Sequence, residues 1–599
     1  MKKYTTWFSV LLFCAYVLPA SAEYFNVNAR NLVVSESPYV DVRAYGAALT
    51  EVPIQAALSA IDNAIGADVF IPRGTYTIGT GLVLQGKSNV TIRGAGKDVT
   101  ILRMNLGTAT KPAVFNADGN WGILSIESDA AFVSPASNIT IQDMTFWLDN
   151  TGTPGAIGDE NGANGQYWIK NVFFRYAGNI TFKNVKIRGS RWEALYSDGA
   201  SGSAPSKVRV INSDFFDTQH NALNVNTGNA SDVFVYGCLF DNTRFGAQVV
   251  GNRINISKNI FKDVGGAIIV AEASYPAAKN DTSDIIVSGN IITGLGANTT
   301  TTSNVYGISV SAGDSQFTDN TVDHGIIVSN NTVNNSVKKS TNAGPLVAFS
   351  LYGGHIKASN NHVSGLTIES GASGDTVAYA LGKGTASGIA RQQMYFNNNT
   401  LDNTMFGDVW EYGVSIVGGD NSSYYFSGNV MTGISASTGF ALYIPVASGT
   451  PYVSLNGDIF NGYIYYPGKW EDLSGPTYLN AAGALSNLPL FGDSNGAIGN
   501  MYSKNVLRKT FTDNDTTPSI MGSNVWQTAN TGATSITAFS DYIDGQEITI
   551  TFTDNNTTVV HGGDIHLNGS ANFVATPYDT LKLMWAKGVG WVQTGGGVN

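Results

Sequence analysis

The sequence predicts an all-β protein built chiefly as one right-handed parallel β-helix (a solenoid), followed by a small C-terminal β-sandwich. Three observations predict it. A short phrase of alternating apolar residues ending in Asn recurs along the chain, and a second phrase, small-apolar-any-apolar, recurs between its copies. The composition, with 68 glycines and only 13% charged residues, suits many tight turns and few long helices.

In chain order, residues 1–22 read as an export signal. Lys2 and Lys3 precede an apolar stretch from Trp7 to Leu18, and Ala20-Ser21-Ala22 offers a small-residue cleavage site. The stretch is too short to span a bilayer, and no later segment is apolar enough to do so, so no membrane partner is expected. Cleavage after Ala22 would remove Cys14 and leave Cys238 alone, which excludes an intramolecular disulfide. It would also remove two lysines and no acids, taking the balance from 34 minus 45 to 32 minus 45, or −13. So acidic a chain is a poor partner for nucleic acid.

Residues 23–480 are expected to form the β-helix domain, with an N-terminal cap helix. The first phrase reads Ile254-Asn-Ile-Ser-Lys-Asn259, Ile285-Ile-Val-Ser-Gly-Asn290, Ile326-Ile-Val-Ser-Asn-Asn331, Ile356-Lys-Ala-Ser-Asn-Asn361 and Tyr424-Tyr-Phe-Ser-Gly-Asn429, with weaker copies from Ile139 onward. Copies start 21 to 41 residues apart, one coil plus loops of varying length. The second phrase reads Ala194-Leu-Tyr-Ser, Ala222-Leu-Asn-Val, Gly246-Ala-Gln-Val and onward to Ala441-Leu-Tyr-Ile. Two short strands per repeat, each ended by Gly or Asn, make one rung that buries its apolar face only by stacking on its neighbours. Asn259, Asn290, Asn331, Asn361, Asn399 and Asn429, then Asp458, fall at one place in successive rungs, where inward amides would form a hydrogen-bonded ladder. Ser213 and Cys238 hold that place earlier, which makes Cys238 a packed thiol. Residues 481–505 read as a linker rich in Gly, Asn, Ala and Ser, and 506–599 as the β-sandwich, in which Phe-Thr-Asp-Asn occurs at Phe511 and again at Phe552.

The N-terminal part carries a family resemblance. Tyr39-Val-Asp-Val-Arg-Ala-Tyr-Gly-Ala47, the helical run Ile54–Ile61 and Asp68-Val-Phe-Ile-Pro-Arg-Gly-Thr-Tyr-Thr-Ile78 resemble the entrance of the pectate-lyase-like β-helix superfamily, which includes glycan lyases, glycan hydrolases and phage tailspikes. The acidic Gly-Asp-Gly…Asp-Asp stretch usual in that family is missing here. The resemblance implies an extracellular polysaccharide as the partner, and for the C-terminal domain a capping, binding or trimer-forming role.

Loops bulging from a β-helix leave a groove several rungs long, which suits an extended polymer. Three consecutive rungs break the bland Ser/Thr/Asn exterior: Arg188-Gly-Ser-Arg191-Trp192-Glu193-Ala-Leu-Tyr196-Ser-Asp198, Asp214-Phe-Phe-Asp217-Thr-Gln-His220-Asn221 and Asp241-Asn-Thr-Arg244-Phe-Gly-Ala-Gln248. Aligning the small-residue phrases sets Glu193, His220 and Arg244 side by side. A β-eliminating lyase needs a cation for the uronate carboxylate, here Arg244 or Arg191, and a base near the C5 proton, here His220 or Tyr196. A glycoside hydrolase needs two carboxylates, which Glu193 with Asp217, Asp214 or Asp198 would supply. Arg191, Trp192, Asn221, Asn224, Gln248 and Trp168 are expected to bind substrate, the indoles by stacking on sugar faces. The competing structural reading makes Arg191, Glu193 and Arg244 a surface ion-pair network and Asp217 a turn cap. One histidine beside two arginines tips the reading to a secreted lyase of an acidic matrix polysaccharide; a hydrolase and a non-catalytic adhesin are the alternatives. No metal site is expected and no cofactor, calcium alone being left open by the abundance of oxygen ligands; His561, Asp564 and His566 fit an ordinary exposed strand.

Overall fold

The computed structural model describes residues 38–478 and 509–597, apart from position 64, the inter-rung loops (among them 110–120, 129–134, 150–168, 199–206, 271–283, 312–324, 383–392 and 403–410) and shorter stretches within both spans. The export signal and the linker of the sequence reading lie outside the described residues.

Residues 39–478 wind as the expected right-handed parallel β-helix, with every strand paired in parallel to its counterparts one coil before and after. Each coil contributes three strands, not two. The first phrase covers two of them, because its Asn sits at a corner: Ile254–Ser257 joins the first sheet and Ile260–Lys262 the second. The second phrase is the third sheet, as at Gly266–Val270. The corner shows in the sequence only as a one-residue slip in the inward alternation, from Ile256 to Asn259.

The corner is held by the amide ladder. Asn259 Nδ2 donates to Asn290 Oδ1 at 2.9 Å, and the series continues through Asn331, Asn361, Asn399 and Asn429 to Asp458 Oδ1. Each Oδ1 also accepts the backbone N–H of the preceding ladder residue, and each Nδ2 also donates to a carbonyl of the first sheet, as Asn331 does to Val287. No amide function is left over, which is what burial at 0–1% exposure demands. Cys238 feeds the same series, its N–H donating to Asn259 Oδ1, and burial pushes its thiol up to about 12. A residue in left-handed backbone precedes each asparagine of the ladder, such as Asn330 (φ 56°) and Asn360 (φ 55°), where Asn and Gly are the residues that adopt it with least strain.

Inside the coil, like side chains stack on like. Phe215, Phe240 and Phe261 form a column with centroids 4.7 and 4.6 Å apart, one rung spacing. Tyr379 is buried in the same core only because its hydroxyl donates to two corner carbonyls, Asn361 and Thr400. The helix Glu51–Ser59 carries Pro53, Ile54, Ala57 and Leu58 on its buried face and packs on the first turn. Gln55 ties it down, exchanging two hydrogen bonds with the backbone of Val83.

The C-terminal unit, described by itself, has sheets of six and three strands over one apolar core. Parallel pairing, which the β-sandwich reading of the sequence did not anticipate, dominates its first half. Lys509–Thr510, Val525–Gln527 and Glu547–Thr551 pair in parallel, as do Thr534–Ile536 and Thr557–Val559, so this part also stacks as rungs. Asn530 Oδ1 accepts the Asn514 N–H and Asp554 Oδ2 accepts the Asn530 N–H, which links those rungs through side chains. Antiparallel pairing begins where Phe573–Val574 meets Thr557–Val559 and Thr580–Ala586 meets Glu547–Thr551, and it continues to Gly590–Gly597. His561 Nδ1 accepts from the Leu567 N–H and His566 Nε2 bonds the Val589 carbonyl, so both rings are held by backbone.

Candidate active site on the third sheet

The outer face of the third sheet presents columns of side chains running along the helix. One passes through Phe173, Tyr196, Asn224 and Gln248 in register. Beside it, at the turn entering the third sheet, stand Glu193, Asn221 and Phe245. Parallel stacking puts each residue one rung from the next, so rungs distant in sequence deliver their side chains to one place.

Glu193 is the centre of a buried polar cluster. Its Oε2 accepts from the Lys170 ammonium at 2.7 Å and its Oε1 from Asn224 Nδ2 at 2.7 Å. Lys170 is 1% exposed and its ammonium lies 5.1 Å from the centroid of the Tyr196 ring. Asn221 donates to Gln248 across the next rung at 2.9 Å. Trp192 stacks on His220 with centroids 4.1 Å apart and planes 7° apart, and Phe245 meets the other side of the imidazole edge-on at 5.6 Å. The Arg244 guanidinium lies over Phe245, and Arg191 and Arg244 are each 5% exposed. Glu193, His220 and Arg244 therefore share one wall.

Electrostatically the site inverts the sign of the chain. Three cations, Lys170, Arg191 and Arg244, stand with one carboxylate, Glu193, in a protein of formal charge −11. His220 feels it: burial first, then Arg244 and Lys170, depress its pKa from the ordinary 6.5 to about 3, so the ring is neutral at physiological pH. Its Nδ1 is buried without a hydrogen-bond partner, as are Asn221 Oδ1 and Asn224 Oδ1. Buried polar atoms left without a partner are ones that a polar ligand or water would satisfy.

A pH test follows. Because the folded pKa of His220 lies below its unfolded value, the unfolded chain takes up the proton first. The contribution is fully present above about 6.5 and is lost as pH falls toward about 3, reaching on the order of 3 kcal/mol at a pH of about 4.5. The variant His220→Phe keeps the stack on Trp192 and has nothing to titrate. Urea midpoints should therefore show the wild type losing more stability than this variant between neutral pH and pH about 4.5; parallel losses would refute the buried neutral ring.

Other sequence candidates are placed elsewhere. Asp217 sits in left-handed backbone (φ 56°) within the second sheet, a recurring bulge position shared by Asn242 and Asp263, and is held by Arg188 and Asn242. Asp214 pairs with Lys97 at 2.5 Å, also on the second sheet. Neither is brought to Glu193, whose two oxygens already accept from Lys170 and Asn224. The pairings of Glu193 with Asp217 and Asp214 are thus divided between two sheets, whereas Asp198 stands on the third sheet, in register with Arg175. Trp168 lies outside the described residues. Ile169–Arg175 is a strand of the third sheet. That strand supplies Lys170, which the sequence reading missed. A lone lysine inside Ile169-Lys-Asn-Val-Phe-Phe was the available signal. Among the described residues, no group of three metal-ligating side chains occurs, and no helix is long and apolar enough to cross a membrane.

Residues 39–284 match the family described as rhamnogalacturonase A/epimerase, pectate lyase-like, a span that covers the N-terminal cap and the rungs of the site. The pectate-lyase-like β-helix resemblance read from the entrance motifs is thereby borne out. No curated protein matches the chain. Among solved structures, the chain is similar to the A-module of mannuronan C-5 epimerase AlgE6 from Azotobacter vinelandii, at 17% identity over 74% of this chain and 99% of that one, with a TM-score of 0.34. It is similar to an exopolygalacturonase from Thermotoga maritima, at 12% identity over 70% and 92% with a TM-score of 0.28. It is also similar to the N-terminal fragment of gene product 12 of bacteriophage Phi29, at 14% identity over 86% and 83% with a TM-score of 0.36. Likeness at this level bears on no reaction or substrate.

Proposed function

We propose that this protein is a secreted carbohydrate-active enzyme that cleaves an acidic polysaccharide by β-elimination on the third sheet. The observation that carries the reading is the net-positive, buried pocket of Lys170, Arg191, Arg244 and Glu193 around a neutral His220 in an otherwise acidic chain. A uronate carboxylate placed there meets cations that withdraw charge and acidify the proton at C5. It also offsets the repulsion that depresses His220, so binding substrate makes the imidazole a better base. His220 takes the C5 proton, the electron pair forms the C4–C5 double bond, and the C4–O bond breaks. Tyr196, beside the Lys170 ammonium, protonates the departing glycosidic oxygen. Glu193 fixes Lys170 and Asn224 and touches neither reacting bond.

The same proton abstraction, followed by return of a proton to the opposite face of C5 with the C4–O bond intact, would invert C5, and the printed name of the matched family includes an epimerase. One experiment separates the readings. Purified protein is incubated with acidic and neutral polysaccharides in heavy water, and products are followed by ultraviolet absorbance, reducing ends and NMR. Unsaturated ends support elimination. Deuterium at C5 without shortening means epimerisation, new reducing ends without unsaturation mean hydrolysis, and none of these with retained binding means an adhesin.

A further inference from the structure

The columns that carry the site continue along the third sheet for many rungs. Through the residues in register, the column of Asn221 and Phe245 runs on to Gly266, and further along the same sheet stand Tyr306, Val347, Val377, Tyr412 and Phe440. The column of Asn224 and Gln248 runs on through Ile269, Ser309, Ser350, Ala380 and Ser415 to Tyr443. On most β-helix faces an outward column is polar. Here Val347, Val377 and Ala380 make an apolar cluster on the outside of the coil, with the half-buried rings of Tyr306 and Tyr412 packed against it. Tyr412 stacks on Phe440 at 5.8 Å and 13°, and Tyr443 leans on both at 4.9 and 5.1 Å. Small residues, Gly266 and Ser309, floor the trough between this platform and the polar pocket.

We infer that this aromatic platform is a distal binding site for the same polysaccharide chain, holding sugar rings by their apolar faces some six rungs, or about 30 Å, from the reacting bond. It rests on the reading of the polar pocket as the place of cleavage. Continuity of the two columns and the direction of the rungs name the occupant: a polymer lying in the trough passes over both. A partner protein would need no register with the pocket. Asp375 and Lys338 edge the platform beside Tyr412, and Asp375 contributes to pushing that phenol up to about 12, after burial.

The test uses the full chain with Tyr412→Ala and Tyr443→Ala, singly and together, beside Tyr412→Phe, each checked by its melting curve. Affinity electrophoresis in polysaccharide-containing gels reads binding, and kcat/KM against oligosaccharide length reads cleavage. Expected is a loss of about tenfold or more in kcat/KM on long chains, carried by KM, no change on the shortest cleavable oligomers, and near-normal behaviour of Tyr412→Phe. An equal loss at every length, or none, overturns the inference. Should the protein cleave nothing, the gels still decide: retardation lost in the alanine variants keeps the platform while the pocket reading fails. If an alanine variant does not fold, the remaining single variant carries the comparison.

Discussion

Lys170→Met is expected to cost both stability and activity, whereas adding Glu193→Leu should return much of the stability and none of the activity. Both partners are nearly inaccessible, at 1% and 8% side-chain exposure, and sit 2.7 Å apart. Removing one leaves the other as an uncompensated buried charge, worth about 3–5 kcal/mol, while replacing both with apolar groups of similar volume is often near neutral. Catalysis obeys a different rule. A cation aimed at charge that develops in the transition state is worth roughly 10²–10³ in kcat, and no apolar substitute supplies it. Urea midpoints and initial rates on the best substrate from the panel, measured for the two single variants and the double, give the full cycle. Activity that recovers along with stability in the double variant would make the pair a brace for the coil and remove Lys170 from the chemistry.

The legibility of this protein in its sequence divides along physical lines. The coil and its ladder were readable because they repeat: an Asn at one register position, rung after rung, has few explanations besides stacked amides. The grouping of Trp192, His220 and Arg244 was readable for the same reason, since aligning rungs is aligning space. What failed were features that lie between repeats. The corner splitting the first phrase into two strands marks the sequence only by a one-residue slip in the alternation, from Ile256 to Asn259. Lys170 sits in a rung reached through a long insertion, so neither phrase flagged it. Asp217 looked like a second carboxylate for Glu193, yet its left-handed backbone turns it to the second sheet, where it meets Arg188. The parallel rungs in the C-terminal unit were not readable, because alternation does not say whether the neighbouring strand runs parallel or antiparallel.

Asn331→Ala is expected to be among the most damaging single changes in the coil, at roughly 3–6 kcal/mol. The Asn331 Oδ1 accepts both the Asn290 N–H and the Asn290 amide, and its Nδ2 donates to Asn361 Oδ1 and the Val287 carbonyl. Truncation strands those groups at a corner with no exposure, at about 1–3 kcal/mol for each donor or acceptor left without water. Asn331→Asp should do no better at neutral pH, because its second oxygen would face two acceptors where the amide had offered donors; only Asp458, where the described series ends, holds a carboxylate at this register position. The contrast is Asn138, whose amide also bridges rungs, at 2.9 Å to Asn89, but on the exposed exterior in left-handed backbone. Asn138→Gly keeps that backbone and should stay within about 0.5 kcal/mol of wild type. Denaturation midpoints for the three variants, with hydrogen exchange at residues 290 and 331, provide the measurement. Similar costs at the buried and the exposed position would mean that apolar stacking alone closes the coil and that the amide ladder is incidental to it.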